Sequence, residues 1–242
     1  MNLIIDIGNT KIKTAVFKGN NLLEKNSFSK TDFFSILENI SKKYNIEHSI
    51  LSSVGKLNEK ELDLLQNLFD PIVLDHSTKL PFINNYATPK TLGVDRIALV
   101  AAAVNIFPNE NVMIIDAGSC VTFDFVNKNK EYFGGAISPG IEMRYKAIHT
   151  FTANLPRLTI SEKIPKVGNT TKNAIQLGVE NGIIQEIEGV ISQYKAKYSK
   201  LTIVLTGGDT IFLAKNIKST IFANPNFLLE GLNSILIHNI DE

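Results

Sequence analysis

The chain has 242 residues, 44% of them hydrophobic, a formal net charge of +1 and a single cysteine. That length and apolar share suit one large domain or two small ones with proper cores. Scattered charge, with no Lys or Arg run beyond two, excludes a nucleic-acid groove and a membrane-binding face, and the lone Cys120 excludes an internal disulfide and a multi-cysteine metal site.

Taken in order, residues 3–6 form an apolar run ending in the turn Asp6-Ile7-Gly8-Asn9. This start is too polar for a signal peptide, and no apolar run approaches the roughly 18 residues of a membrane span. A cytoplasmic protein with no membrane and no nucleic-acid partner is expected. Ile12, Thr14 and Val16 alternate with Lys11, Lys13 and Ala15, the period of a half-buried strand, and residues 22–28 read as a third strand. Thr31 or Asp32 could cap a helix through about Tyr44, with Phe33, Phe34, Ile36, Leu37 and Ile40 as its stripe. A strand at 49–54, a helix at 58–69 and a strand at 71–74 follow. An apolar helix is expected at 97–106, just after Gly93-Val94-Asp95-Arg96.

The second half repeats this order, with strands at 112–116, 121–126 and 131–137, then helices at 141–151 and 172–198. A strand at 201–205 and helices at 211–217 and 228–239 complete it. Alternating strands and helices predict α/β architecture. The order strand-strand-strand-helix-strand-helix, written twice, predicts a duplication with domains 1–107 and 108–242.

Each half opens with Ile-Ile-Asp-x-Gly, ending at Gly8 and again at Gly118. A buried strand that ends in Asp and turns through Gly exposes a carboxylate and backbone N–H groups together. Asn9, Thr10, Lys11 and Lys13 can offer donors to phosphate oxygens. Asp6 can hold a metal ion directly or through water, and a carboxylate facing a polyphosphate implies Mg²⁺ between them. The turn Asp116-Ala117-Gly118-Ser119 is expected to face the first across a cleft. Neither the Walker phosphate loop nor the dinucleotide fingerprint is present. Gly207-Gly208, after the apolar strand at 201–205, would let a flat ring lie on the backbone. Asp95 is favourable in the first turn of a helix, whereas Arg96 there favours a bound anion.

The duplicated turns resemble those of the acetate kinase, sugar kinase, Hsp70 and actin superfamily. That resemblance implies two tandem ribonuclease-H-like domains with ATP in the cleft between them. Asp6-x-Gly8-Asn9-Thr10, Leu92-Gly93-x-Asp95-Arg96, Asp116-x-Gly118, Gly134-Gly135-x-Ile137-x-Pro139-Gly140 and Thr152-Ala153-x-Leu155-Pro156 occur in chain order. Gly168-Asn169-Thr170-Thr171 with Ala174 and Gly178, and then Thr206-Gly207-Gly208-Asp209, follow. This series, covering nearly the whole chain, resembles the type III pantothenate kinases. Gly118-Ser119-Cys120 departs from the family's Gly-Thr-Ala, yet serine keeps the hydroxyl.

The resemblance implies a kinase that makes 4′-phosphopantothenate from pantothenate and ATP, with Asp95 orienting and deprotonating the substrate hydroxyl. Tyr86, Gly93, Val94, Asp95, Arg96 and Thr171 would bind pantothenate. Asp6, Gly8, Asn9, Thr10, Lys11, Lys13, Ser119, Gly207 and Gly208 would bind ATP. Asp116 would hold a monovalent cation, K⁺ or NH₄⁺, and Asp6 would hold Mg²⁺ through water. A homodimer is also implied. Two alternatives are a kinase of the same fold for another small hydroxylated metabolite, and a nucleotide-binding regulatory protein. The four histidines show no metal-ligand spacing, Cys120 reads as a packing residue, and Asp209 reads as a helix cap.

Overall fold

The computed structural model describes residues 1–8, 11–53 and 57–240. The chain forms two compact units. One comprises Met1–Asn109, Asn129–Phe133 and Asn226–Glu242, the other Glu110–Lys128 and Gly134–Pro225.

In the first unit, β1 (Asn2–Ile7), β2 (Ile12–Lys18) and β3 (Asn21–Phe28) form the expected antiparallel meander. After α1 (Phe33–Lys43), β4 (His48–Ser53) lies parallel to β1, and after α2 (Glu59–Phe69), β5 (Ile72–Val73) lies parallel to β4. The sheet order is β3-β2-β1-β4-β5. Alternation puts Leu3, Ile5, Ile7, Ile12 and Val16 in one core with Phe33, Leu37 and Ile40 of α1. The helix at α1 begins as expected, but Asp32 makes no side-chain cap there. Its carboxylate instead accepts from Ser29 Oγ at 3.1 Å. By contrast, α2 opens with a complete capping box. Asn58 Oδ1 accepts from Glu61 N at 3.0 Å, and Glu61 Oε2 accepts from Asn58 N at 2.8 Å. Val54, expected to end β4, lies outside the described residues.

The opposite face of this sheet carries α3 (Val94–Ile106) and α8 (Phe227–Ile240). Both helices are apolar around most of their circumference, so neither could stay in water, and they bury each other. A Cβ added to Gly231 would lie 1.8 Å from Ala98 O, which shows how closely their backbones approach. Asn233 ties α8 down, accepting from Asn2 Nδ2 and donating to Gly19 O, each at 3.0 Å. This mutual burial is why a single cut at 107/108 differs from the observed partition: the C-terminal helix belongs with the first unit. A short strand, β6 (Ile83–Asn84), pairs with Glu131 and Tyr132.

In the second unit, β7 (Val112–Ala117) and β8 (Cys120–Val126) form a hairpin, and β9 (Glu131–Pro139) leads into α4 (Ile141–Thr150). A long helix follows in three parts: α5 (Thr171–Gln176), a π turn at Leu177–Asn181, and α6 (Gly182–Lys197). Then come β10 (Thr202–Thr206), α7 (Thr210–Asn216) and β11 (Phe222–Ala223), with β10 parallel to both β7 and β11. The strand order is β6-β9-β8-β7-β10-β11, and apart from the edge strand β6 it repeats that of the first unit, the duplication written in topology. Its core joins Met113, Ile115, Val121 and Phe123 to Ile183, Ile187 and Ile191. Among the described residues, no helix is long and apolar enough to cross a membrane.

Candidate active site

Asp6 stands next to last in β1, where the strand register sets it beside Lys13 of β2 and Ser52 of β4. It is 7% exposed. Burial pushes its carboxyl above the usual carboxylate range; the Lys13 ammonium opposes this and the Asp95 carboxylate reinforces it. The Ser52 hydroxyl, also buried, stands near enough to favour the charged form, yet has no hydrogen-bond partner of normal geometry among the described residues. Beyond Asp6, Gly8 N donates to Lys11 O at 3.1 Å. Lys11 is exposed. Asn9 and Thr10 lie outside the described residues.

An acid whose pKa is raised on folding costs stability above that raised value and none below the ordinary one. In EDTA the protein is therefore expected to lose stability as pH rises through the range just above ordinary carboxylates. Asp6→Asn should remove that loss. It should raise the melting temperature at pH 7 in EDTA, checked by calorimetry.

Asp95 occupies the first turn of α3, behind Gly93 at the N-cap and Val94. Its Oδ1 accepts from Arg96 N at 2.8 Å. A Cβ on Gly93 would meet that oxygen at 2.4 Å, so glycine is what lets the carboxylate fold back over the helix start. Asp95 stays half-buried and close enough to Asp6 for their charges to interact.

Arg96 is 5% exposed. A guanidinium held out of water needs compensation, and part comes from Tyr86, whose ring centroid lies 5.7 Å from the guanidinium carbon. Tyr86 in turn stacks on Tyr132 at 6.2 Å and 12°, and Phe82 meets Tyr132 edge-on at 6.0 Å. The sequence reading missed Tyr132. Only the pairing of β6 with β9, where Asn85 N donates to Tyr132 O at 2.8 Å, brings it under Tyr86.

The second acidic turn is shorter by one residue, since Ala117 pairs with Val121 where Ile7 pairs with Ile12. Opposite Asp116 stands Thr122 rather than a lysine, and the buried Thr122 hydroxyl has no hydrogen-bond partner among the described residues. Gly118 N donates to Cys120 O at 2.9 Å, leaving Ser119 exposed at the tip. Two other turns close on this one. Gly140, capping α4, donates to Ser119 O at 3.2 Å, and a Cβ there would fall 2.1 Å from Gly118 O. Gly207, at φ +96°, leaves room where a Cβ would lie 2.3 Å from Ala117 O and 2.4 Å from Asp116 Oδ1. Arg144 braces the first of these, donating to Pro139 O at 2.8 Å and Ser138 Oγ at 3.1 Å while pairing with Glu186. No sequence signal pointed to Arg144.

Asp209 takes the N-cap position of α7 but makes no side-chain cap, contrary to expectation. Its backbone N–H donates to Ala117 O at 2.9 Å instead. Burial, and then the Glu142 charge, push its carboxyl up. Beside Gly208 opens a pocket of about 520 Å³, walled by Ile160, Ile164, Phe212 and Lys215 among others. Thr171 begins α5, exposed, after Thr170 caps the helix by accepting from Asn173 N at 3.2 Å. Thr171 belongs to the second unit, and Tyr86, Asp95 and Arg96 to the first. Among the described residues, no group of three acids, histidines or cysteines is placed to hold a metal.

A family model described as type III pantothenate kinase matches residues 2–193. A type III pantothenate kinase of Christiangramia forsetii is 53% identical over 240 residues, covering 99% of each chain. One from Flavobacterium psychrophilum is 50% identical, covering 97% of this chain and 98% of its own. Among solved structures, a Campylobacter jejuni protein described as a conserved candidate transcriptional activator of the Baf family is 25% identical, with TM-score 0.64 over 99% of this chain and all of its own. A glucokinase from an Antarctic psychrotroph matches at TM-score 0.53 and 13% identity over 98% of each chain, a likeness of fold alone. Two sheets of one strand order and these neighbours establish the actin-like ATPase fold that the paired turns implied. With a matching family model and relatives at half identity along the whole length, the chain belongs to the type III pantothenate kinase family.

Proposed function

We propose that the protein transfers the γ-phosphoryl group of ATP to the primary hydroxyl of pantothenate, giving 4′-phosphopantothenate and opening coenzyme A synthesis. The observation that carries this reading is Asp95, held at the start of α3 beside the buried Asp6 and next to the Arg96–Tyr86 stack. Phosphoryl transfer passes through a loose transition state, so aiming the nucleophile matters more than stripping its proton early. Asp95 orients the hydroxyl toward phosphorus and takes its proton late. Arg96, with Tyr86, Gly93, Val94 and Thr171, holds the substrate; a guanidinium suits its carboxylate. Lys11, Lys13, Gly8, Asn9, Thr10 and Ser119 serve the phosphates, and Gly207 and Gly208 the nucleoside.

The donor sets fit hard cations. Asp6 with the Ser52 hydroxyl would supply oxygen to Mg²⁺, through water, and Asp116 with the Thr122 hydroxyl would supply oxygen to K⁺ or NH₄⁺; neither hydroxyl has a hydrogen-bond partner among the described residues. When bound, such ions would neutralise the charge of the phosphates. A homodimer belongs to the same reading, supported by the exposed apolar side chains of Ile137, Met143 and Phe151.

ADP release measured in Mg²⁺, with and without pantothenate, tests the proposal. Turnover should require pantothenate, and KCl should raise it above an equal NaCl background. Turnover with another hydroxylated acid but not pantothenate would overturn the substrate. A flat response to KCl would remove the role given to Asp116. The likeness to a candidate transcriptional activator favours a second reading, a nucleotide-binding regulator. Absence of turnover with every acceptor, alongside retained ADP binding, would favour it.

A further inference from the structure

The helix after Thr170 changes pitch at Leu177–Asn181, where the π turn joins α5 to α6. Such turns are rare and recur at functional sites. Here the turn carries Glu180, which is 0% exposed. Its carboxylate accepts from Tyr145 Oη at 2.5 Å, from Ser161 N at 2.7 Å and from Ser161 Oγ at 2.6 Å. A buried carboxylate is tolerated only with donors of this kind, and a carboxylate so completely buried is unusual.

Ser161 sits midway along residues 151–170, a stretch with neither helix nor strand. Leu155, Leu158 and Ile164 pin that stretch to the core. Its middle part, residues 160–164, forms one side of the pocket beside Gly208, with Ile211, Phe212 and Lys215 of α7 on the other. Apolar side chains on both sides, with Gly208 leaving the backbone open, suit a flat heterocycle.

We infer that Glu180 is a positioning residue for the nucleotide: through Ser161 it holds residues 160–164 as the wall against which the base of ATP rests. The inference builds on the assignment of Gly207 and Gly208 to the nucleoside. Glu180 touches no substrate; it acts through the segment it fixes.

Titration calorimetry of the full chain with ADP and with inorganic tripolyphosphate tests this. Glu180→Gln should weaken ADP about 10-fold, the size of one lost charge-assisted hydrogen bond, and leave tripolyphosphate unchanged. The KM for ATP should rise by the same factor while kcat at saturating ATP holds. Ser161→Ala, which keeps the backbone bond, should act in the same direction and less strongly, and decides the matter if Glu180→Gln does not fold. Wild-type ADP affinity in the folded variants, or an equal loss for tripolyphosphate, would overturn the role of Glu180. Gly208→Val separates this from the assignment beneath it, because a side chain there meets no atom within 4 Å of its Cβ. Loss of ADP binding in Gly208→Val supports the pocket, and retained binding would sink the nucleoside assignment itself. Loss there with normal ADP affinity in Glu180→Gln overturns the positioning role alone.

Discussion

Asp95→Asn should lower kcat by about 10³-fold, within the range that a positioned proton acceptor contributes, while ADP binding is unchanged. Asparagine keeps an oxygen that can accept from Arg96 N, so the folded-back start of α3 survives. What it loses is the capacity to take a proton and the charge beside Asp6. Losing that charge also relieves Asp6, whose carboxyl Asp95 helps to push up. Stability should therefore rise slightly even as turnover collapses, a pairing that simple misfolding cannot produce. Single-turnover kinetics with a melting curve on the same sample would show both. A kcat near the wild-type value would end the assignment of Asp95 as the group that aims and deprotonates the hydroxyl.

Gly207→Ala is the other large effect. At φ +96° an L side chain is strained in any surroundings, and here its Cβ would also strike a backbone carbonyl and the Asp116 carboxylate. Strain and overpacking together cost about 3 kcal/mol. For a chain of this size that lowers the melting temperature by roughly 10 °C. Function should suffer more than stability, because the relief available is to push Asp116 aside or lift the Gly207-Gly208 turn. Any K⁺ stimulation should then be lost along with nucleotide affinity. Gly208→Ala is the internal control: with open space at its Cβ, it should melt like the wild type. Equal melting temperatures for the two variants would show that the close approach to Asp116 is not what demands glycine.

The acidic turns and the succession of strands and helices were legible because they are local. An apolar run, an aspartate and a glycine specify strand and turn within a few residues, and written twice they specify a duplicated fold. Asp95 and Arg96 were legible for the same reason, as charges placed in a first helical turn. The errors came where a side chain found surroundings that residue type and spacing do not specify. Asp32 and Asp209 read as caps, yet their carboxyls had better or different surroundings than the adjacent N–H groups. Tyr132 and Arg144 gave no local sign, since one works through a strand pairing and the other through a turn it braces.

Sequence by itself determined the α/β alternation, the two Asp-x-Gly turns and the family, all of which depend on residue type at short spacing. Tertiary structure alone decided that α8 returns to the first unit, that Gly207 must yield space to Asp116, and that Glu180 reaches Ser161. The physical reason is that apolar burial and steric exclusion act between surfaces, and which surfaces meet is settled only when distant segments compete for the same cover.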